Sequence, residues 1–449
     1  MQYNVNTVPP PHVQLALLLL LLPVAQAAEP TPSFTRDIRP LLQRNCQGCH
    51  QPSIKSGNLD LTSYATLKQG GKRGPATATL LPYLTGENKP QMPLGQPPLP
   101  AADVDTFKTW LTTGAKDDTL AESTTTEAII YLQPSIINAL AWSPDGKSLA
   151  VSGNREVLIH TEGTQPPTRL AGLSERILSL AFSKQGTTLL AAGGTPARFG
   201  EIQLWDLPTK TLKRSITLTP DTVFGASLSP DGTQISVGCT DNTVRVIDAQ
   251  TGKELHKIGN HENWVLGTVF SLDGKRIVSV GRDRAAKLTD SSSGAFLENV
   301  NLLRGELTAI ARHPTKDIVV IGGDERIPYI YMLDRSKNMK IADDTTLIRK
   351  LERQNGPIAA LAWSPDGSMI AVAGNSPEVN IYEAETGKRL AASKGHGAGG
   401  IYTVAFTPDS LTLATGGFDG KVRIYKVTTG ELLKSFVPVP LSAGAPAND

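Results

Sequence analysis

One four-residue pattern returns seven times in the chain, and it constrains the fold more than any other feature. It reads Ser143-Pro144-Asp145-Gly146 and is echoed at Ser183-Lys184-Gln185-Gly186, Ser229-Pro230-Asp231-Gly232 and Ser271-Leu272-Asp273-Gly274. Three further copies stand at His313-Pro314-Thr315-Lys316, Ser364-Pro365-Asp366-Gly367 and Thr407-Pro408-Asp409-Ser410. Proline presets φ at the second turn position and glycine accepts the left-handed one, so each copy predicts a tight turn between two strands. Around each marker lie an apolar strand, the turn, a second strand, a polar turn and a third strand. A fourth strand then follows turns such as Thr251-Gly252-Lys253 or Thr429-Gly430-Glu431. The period is roughly 40 to 50 residues, the length of one supersecondary unit in an array of like units.

Four strands make one blade of a β-propeller, so seven markers predict seven blades. Over residues 128–437 the sequence resembles the WD-repeat β-propeller family, most plainly at Ile202-Gln203-Leu204-Trp205-Asp206. Elsewhere the Trp-Asp slot holds Ile247-Asp248, Thr289-Asp290, Tyr382-Glu383 and Tyr425-Lys426, while Gly395-His396 keeps the Gly-His pair of the family. The resemblance implies that His261 and His396, each just before the first strand of a blade, hydrogen-bond a turn aspartate. Asp283 and Asp419 stand at the matching downstream positions. His160, His256 and His313 have no metal-ligand spacing, and Cys239 reads as a small buried hydrophobe. Ring closure requires an outer strand, either residues 127–132 or residues 431–437. The Pro- and Ala-rich tail, residues 438–449, reads as disordered.

Upstream of the repeats, the chemistry is concentrated in Cys46-Gln47-Gly48-Cys49-His50. Two thiols three positions apart, followed directly by an imidazole, are the pattern of c-type haem attachment. The thiols of Cys46 and Cys49 add across the two vinyl groups, and His50 ligates the iron from the proximal side. A zinc site, a redox dithiol and a plain disulfide are the competing uses of the same residues. Zinc lacks further ligands, since residues 28–127 hold no other Cys or His. For the distal iron position the candidate is Met92, the only methionine between Met1 and Met332, set among Pro90 and Pro93. A thioether opposite histidine raises haem potential in electron-carrying cytochromes. The alternatives are a methionine that fills an apolar gap and an open sixth position.

Helical periodicity frames the motif. Phe34, Ile38, Leu41 and Leu42 recur at helix spacing after a cap at Ser33 or Thr35, and Val104, Phe107, Trp110 and Leu111 recur again before Gly114. Trp110 reads as a packing residue against the first helix. In order and spacing this region resembles the planctomycete-type cytochrome c domain. The likeness rests on Ile38-Arg39-Pro40-Leu41-Leu42, the haem motif, Gly57-Asn58-Leu59-Asp60-Leu61, Gly70-Gly71, Met92-Pro93 and Trp110-Leu111-Thr112-Thr113-Gly114-Ala115. The resemblance implies that Met92 is the distal ligand, with Leu94 departing from the proline common there.

The domain plan is therefore a signal peptide over residues 1–27, a small all-α cytochrome c domain over 30–116, a polar linker over 117–127 and an all-β seven-bladed propeller over 128–437. The leader is read from an apolar run at residues 15–22 and small residues around Ala27, too short to span a bilayer. It implies export, to the periplasm or an equivalent compartment, and membrane contact only if it is retained as an anchor. Lys plus Arg at 44 against Asp plus Glu at 42 gives +2, with no long single-sign run to attract nucleic acid.

The functional expectation is one covalent haem c carrying single electrons, with the propeller docking a redox partner protein and no residue assigned to catalysis. Two other classes compete. One is an oxidoreductase with a second cofactor in the propeller, and the other is a haem-based sensor or interaction module.

Overall fold

The computed structural model describes residues 31–47, 49–50, 56–117, 130–334, 342–397 and 399–442, without the side chains of Thr35 and Leu173. The expected leader at residues 1–27 lies outside these residues, as does nearly all of the expected linker at 117–127. Among the described residues no helix is long and apolar enough to cross a membrane. The chain is mostly β.

Residues 32–117 carry four α-helices: α1 (Arg39–Asn45), α2 (Tyr64–Gln69), α3 (Ala76–Thr85) and α4 (Ala101–Thr112). Ser33 starts the first helical segment, its Oγ accepting from the Arg36 N–H at 2.9 Å. This satisfies one of the free N–H groups at a helix start. A single π-turn, Phe34–Ile38, runs directly into α1. A reciprocal Ser63 and Thr66 capping box opens α2. Gly86, in the left-handed region at φ +82°, ends α3. The apolar stripes read from sequence meet in one cluster, where Phe34, Ile38, Leu42, Leu61, Leu67, Phe107 and Trp110 are all at most 1% exposed. The Trp110 ring lies 5.7 Å from Phe34 and 6.3 Å from Tyr64, which is the packing role expected of it. Each such side chain contributes about 1.5–3 kcal/mol by leaving water.

Residues 130–442 form a seven-bladed propeller. Five sheets have four strands each, and one has seven. The seven-stranded sheet is two blades, because its long strand Thr168–Phe182 serves both. The first part of that strand pairs with Asn154–Thr161, and the last part pairs with Thr188–Thr195. The strand next to the innermost in each blade is covered on both faces, which explains near-continuous apolar runs such as Ile235–Cys239 in Gln234–Cys239 and Met369–Gly374. Outer strands are open, as in Leu432–Phe436.

The turn markers do what their residues predict. In the third blade Ser229 Oγ donates to Asp231 Oδ1 at 2.6 Å. Asp231 Oδ1 also accepts from the Thr233 N–H, and Ser229 Oγ from the Gln234 N–H. Gly232 sits at φ +74°. The same set of bonds recurs at Ser143, Ser271, Ser364 and Thr407. In the fifth blade His313 replaces the serine, and its Nδ1 accepts from the Thr315 and Lys316 N–H groups at 3.1 Å.

Of the two strands proposed to close the ring, Leu432–Phe436 is the outer strand of the seventh blade. Tyr131 instead makes one parallel bridge to Leu441. The tail reading is corrected for residues 438–442: Val439 is 4% exposed in a cluster with Tyr131 and Leu158, and the Ser442 N–H donates to the Tyr131 carbonyl. The apolar Val439 and Leu441 outweigh the prolines around them. Across the seam, the Leu140 N–H donates to Thr403 Oγ1 and the Ile137 N–H to the Gly417 carbonyl.

Candidate functional site

The candidate centre forms where α1 ends. Cys46 and Gln47 are tied to the end of the helix, both N–H groups donating to the Leu42 carbonyl, and the chain then tightens into a turn. The N–H groups of Cys49 and His50 both donate to the Cys46 carbonyl, at 3.2 and 3.0 Å. Both thiols and the imidazole therefore belong to one turn. The two cysteines are not bridged to each other. Cys46 is buried against the apolar cluster of the helices, whereas Cys49 is exposed. Burial, with the neighbouring Cys49 as a smaller cause, pushes the Cys46 thiol up to about 12, so in this state it is a neutral, apolar-facing group.

His50 is held by backbone carbonyls. Its Nδ1 lies 2.9 Å from the Ser56 carbonyl oxygen, and the Leu59 carbonyl also acts on the ring. A carbonyl can only accept, so in the neutral ring Nδ1 carries the proton and Nε2 is the nitrogen with a lone pair to offer a metal. Burial lowers the His50 pKa, opposed by the Ser56 and Leu59 carbonyls, which favours the neutral ligating form. The turn is anchored beneath by Gln47, 1% exposed, whose Nε2 donates to the Leu61 carbonyl at 2.6 Å. The His50 carbonyl accepts from the Leu61 N–H. Ser56 and Gln47 were not singled out in the sequence, because their role is carried by a carbonyl and by a loop closure that spacing does not reveal.

Met92 lies in the loop after α3, fixed by its own N–H donating to the Tyr83 carbonyl at 2.9 Å. Its side chain is half-buried and packs on the same apolar cluster that contains Cys46. Leu94, where the family resemblance expects proline, is 67% exposed. These residues fit what a covalently held haem asks of a chain: two unbridged thiols on one turn, an imidazole with one nitrogen tied back, and a thioether on the same apolar cluster. Among the described residues no three His, Cys, Asp or Glu side chains gather as ligands for a metal ion.

The propeller histidines are wired as structural groups. His261 Nδ1 meets both oxygens of Asp283 at 3.0 and 2.9 Å, and its Nε2 meets Ser279 Oγ at 2.7 Å. The expected His396 to Asp419 bond is not formed. His396 Nε2 meets Thr415 Oγ1 at 2.8 Å, its Nδ1 faces Arg423 Nη1 at 3.2 Å, and Arg423 pairs with Asp419 at 2.7 Å. The guanidinium reaches between the two groups and takes the carboxylate for itself. Cys239 is fully buried and its thiol is pushed up to about 12 by that burial, as a small hydrophobe would be. The Trp-Asp slot is buried at Trp205 and stays buried where its residue has changed, at Ile247, Thr289, Tyr382 and Tyr425.

Residues 130–160, 210–248, 252–290 and 387–426 match the family described as WD domain, G-beta repeat. Residues 313–398 match the anaphase-promoting complex subunit 4 WD40 domain. Among curated proteins, autophagy-related protein 16 of Arabidopsis thaliana is 25% identical over 240 residues, covering 52% of this chain and 45% of that protein. Protein tipD of Dictyostelium discoideum is 22% identical over 325 residues, covering 60% and 50%. Coronin-7 of Homo sapiens is 32% identical over 159 residues, covering 33% and 17%. The chain thus spans half or less of the length of these relatives. Fold, turn chemistry and matches agree that the propeller is built of WD repeats. The segments that match the family all lie at or beyond residue 130.

Proposed function

We propose that this WD-repeat protein is an exported c-type haem protein that carries single electrons, with the propeller docking its redox partner. The observation that supports the reading is the turn at Cys46, Cys49 and His50, where the Ser56 carbonyl fixes the proton on Nδ1, so that Nε2 is the nitrogen that would ligate an iron. The haem would supply reversible one-electron chemistry at its iron. The chain's own part is to hold Cys46 and Cys49 on one turn, to orient His50 through Ser56, to offer the Met92 thioether, and to keep water from the apolar side with Phe34, Leu42 and Trp110. The leader read at residues 1–27 suits this proposal, because thioether bonds to haem form in exported chains of bacteria.

The test is expression of the full chain in a bacterium that matures c-type haem. A haem stain that survives a denaturing gel is expected, together with a low-spin spectrum. Cys46→Ser with Cys49→Ser abolishes the stain, and Met92→Ala turns the ferric spectrum high-spin. A chain that is exported and folded yet carries no covalent haem overturns the proposal.

A further inference from the structure

Four pairs of adjacent blades in this propeller are sealed at their outer edge by one device. The turn between the third and fourth strands of a blade lies down on the outer strand of the blade before it. At Gly252 an added Cβ would meet Arg214 Cδ at 2.9 Å and Ile216 Cδ1 at 3.1 Å. At Gly387 it would meet Arg349 Cδ at 2.7 Å and Leu351 Cδ2 at 3.3 Å, and Gly294 and Gly430 sit in the same way on His256 and on the Ala392 carbonyl. All four glycines have φ between +72° and +75°, so a side chain there would be both strained and obstructed. The long side chains below help: Arg214 donates to the Thr251 and Gln250 carbonyls, and Arg349 to those of Ala384 and Glu385.

Between the first and second blades both halves of the device are changed. Lys210 stands at the turn position of those glycines, at φ +57°. Thr168, paired with Ile159, stands where Arg214 pairs with Leu204 and Arg349 with Ile330. A side chain has been added above, and a long one removed below. The result is a cleft of about 490 Å³, within the size range of ligand sites. Ile159, Leu170, Phe182 and Leu207 give it an apolar lining, and Lys210 lies at its edge. Among the described residues no carboxylate pairs with Lys210, while Lys213 of the same blade is paired with Asp206 at 2.7 Å. Asp145, also at the cleft, is already used by Ser143 Oγ and the Lys147 N–H.

We infer that this cleft is a docking site for an extended segment of a partner protein, which inserts an aromatic side chain between the blades and sets an adjacent Asp or Glu against Lys210. The inference rests on the docking role given to the propeller above and assigns that role a place and a chemistry. A buried aromatic anchor with one charge beside it is how a small interface gains both affinity and register.

The test uses the full haem-bearing chain and three fluorescein-labelled capped peptides: Ser-Phe-Glu-Ser, Ser-Ala-Glu-Ser and Ser-Phe-Lys-Ser. Anisotropy is expected to show saturable binding of the first, and at least tenfold weaker binding of the other two. The double variant Thr168→Arg with Lys210→Gly installs the pattern of the Arg214–Gly252 and Arg349–Gly387 junctions. It should keep the wild-type melting temperature or exceed it, and lose the peptide. Lys210→Glu alone should invert the preference between the Glu and Lys peptides. Absence of saturable binding to the wild type, or binding undiminished in the folded double variant, overturns the inference. The haem stain is read on the same preparations, so failure of the electron-carrier reading and failure of the cleft are told apart.

Discussion

The fourth and seventh blades begin from the same residues and wire them differently. Each has a histidine before its first strand, an aspartate in the turn after its second, and a basic residue four positions beyond that aspartate. In the fourth blade His261 takes Asp283 directly, and Lys287 stands aside, 3.4 Å from the carboxylate. In the seventh, Arg423 Nη1 takes Asp419 and, with the same nitrogen, also faces His396 Nδ1. The difference follows from the cation. A guanidinium presents several donors in a fixed fork and can serve two acceptors at once, whereas an ammonium is a single point. What the repeat preserves is a closed set of partners, and the identity of each bond is free to change.

The comparison is broken most severely by removing the aspartates. Asp283 is 4% exposed at its side chain and serves His261, the Glu262 N–H and Lys287. Asp283→Ala leaves the buried His261 and the largely buried Lys287 without their acceptor, and we expect a loss of about 3 kcal/mol in urea denaturation. Asp419 is 23% exposed and makes no bond to its histidine. Solvent can replace part of what it gives, so Asp419→Ala should cost about half as much. Equal losses would mean that the direct histidine bond contributes nothing.

Acid separates the blades by a second route. Burial, with the Arg423 charge next, lowers His396 to about 4. Its folded value lies below its free value, so the unfolded chain takes up the proton first. The contribution is complete above about pH 6.5 and is lost as the pH falls toward 4, amounting to about 2 kcal/mol by pH 5. In the fourth blade, burial alone would raise Asp283, but the His261 ring, the Glu262 N–H and Lys287 outweigh it and hold the carboxylate at about 2. That contribution is present above about pH 4 and fades only below it. Stability measured from pH 7 to 5 should therefore fall more steeply in the wild type than in His396→Gln, where only the lowered His50, His160 and His313 still contribute. A slope undiminished by the substitution would assign the titration elsewhere.

These wirings also mark the limit of what the sequence discloses. The blade number was legible because Ser-Pro-Asp-Gly is a local device whose bonds close within six residues. The capped first helix was legible for the same reason, from Ser33 through Phe34 and Ile38 to Leu42. The turn of Cys46, Cys49 and His50 was visible as spacing, but the Ser56 carbonyl that orients His50 was not, since any residue type supplies a carbonyl. Arg423 was overlooked for a related reason: its reach between His396 and Asp419 depends on three elements meeting. The seal between blades was invisible until neighbouring turns could be compared in space, which is where Lys210 differs from Gly252.

The smallest expected effect concerns the residue in the old Trp-Asp slot, which both blades use to pin the loop that carries the histidine. In the seventh blade Tyr425, fully buried, donates its hydroxyl to the Lys394 carbonyl at 2.8 Å. In the fourth, Thr289 Oγ1 accepts from Asn260 Nδ2 at 3.2 Å. The first bond is made by the hydroxyl of a fully buried ring, and burial pushes the Tyr425 hydroxyl up to about 12, so it stays a donor throughout the working range. Tyr425→Phe keeps the ring and deletes only that donor, which should cost about 1 kcal/mol. Thr289→Val keeps the shape and deletes a longer bond from a partly exposed amide, at a cost of about half that. If Tyr425→Phe proves neutral while Thr289→Val does not, the slot contributes through ring packing in one blade and through its hydrogen bond in the other, and the two blades differ more deeply than their histidines alone suggest.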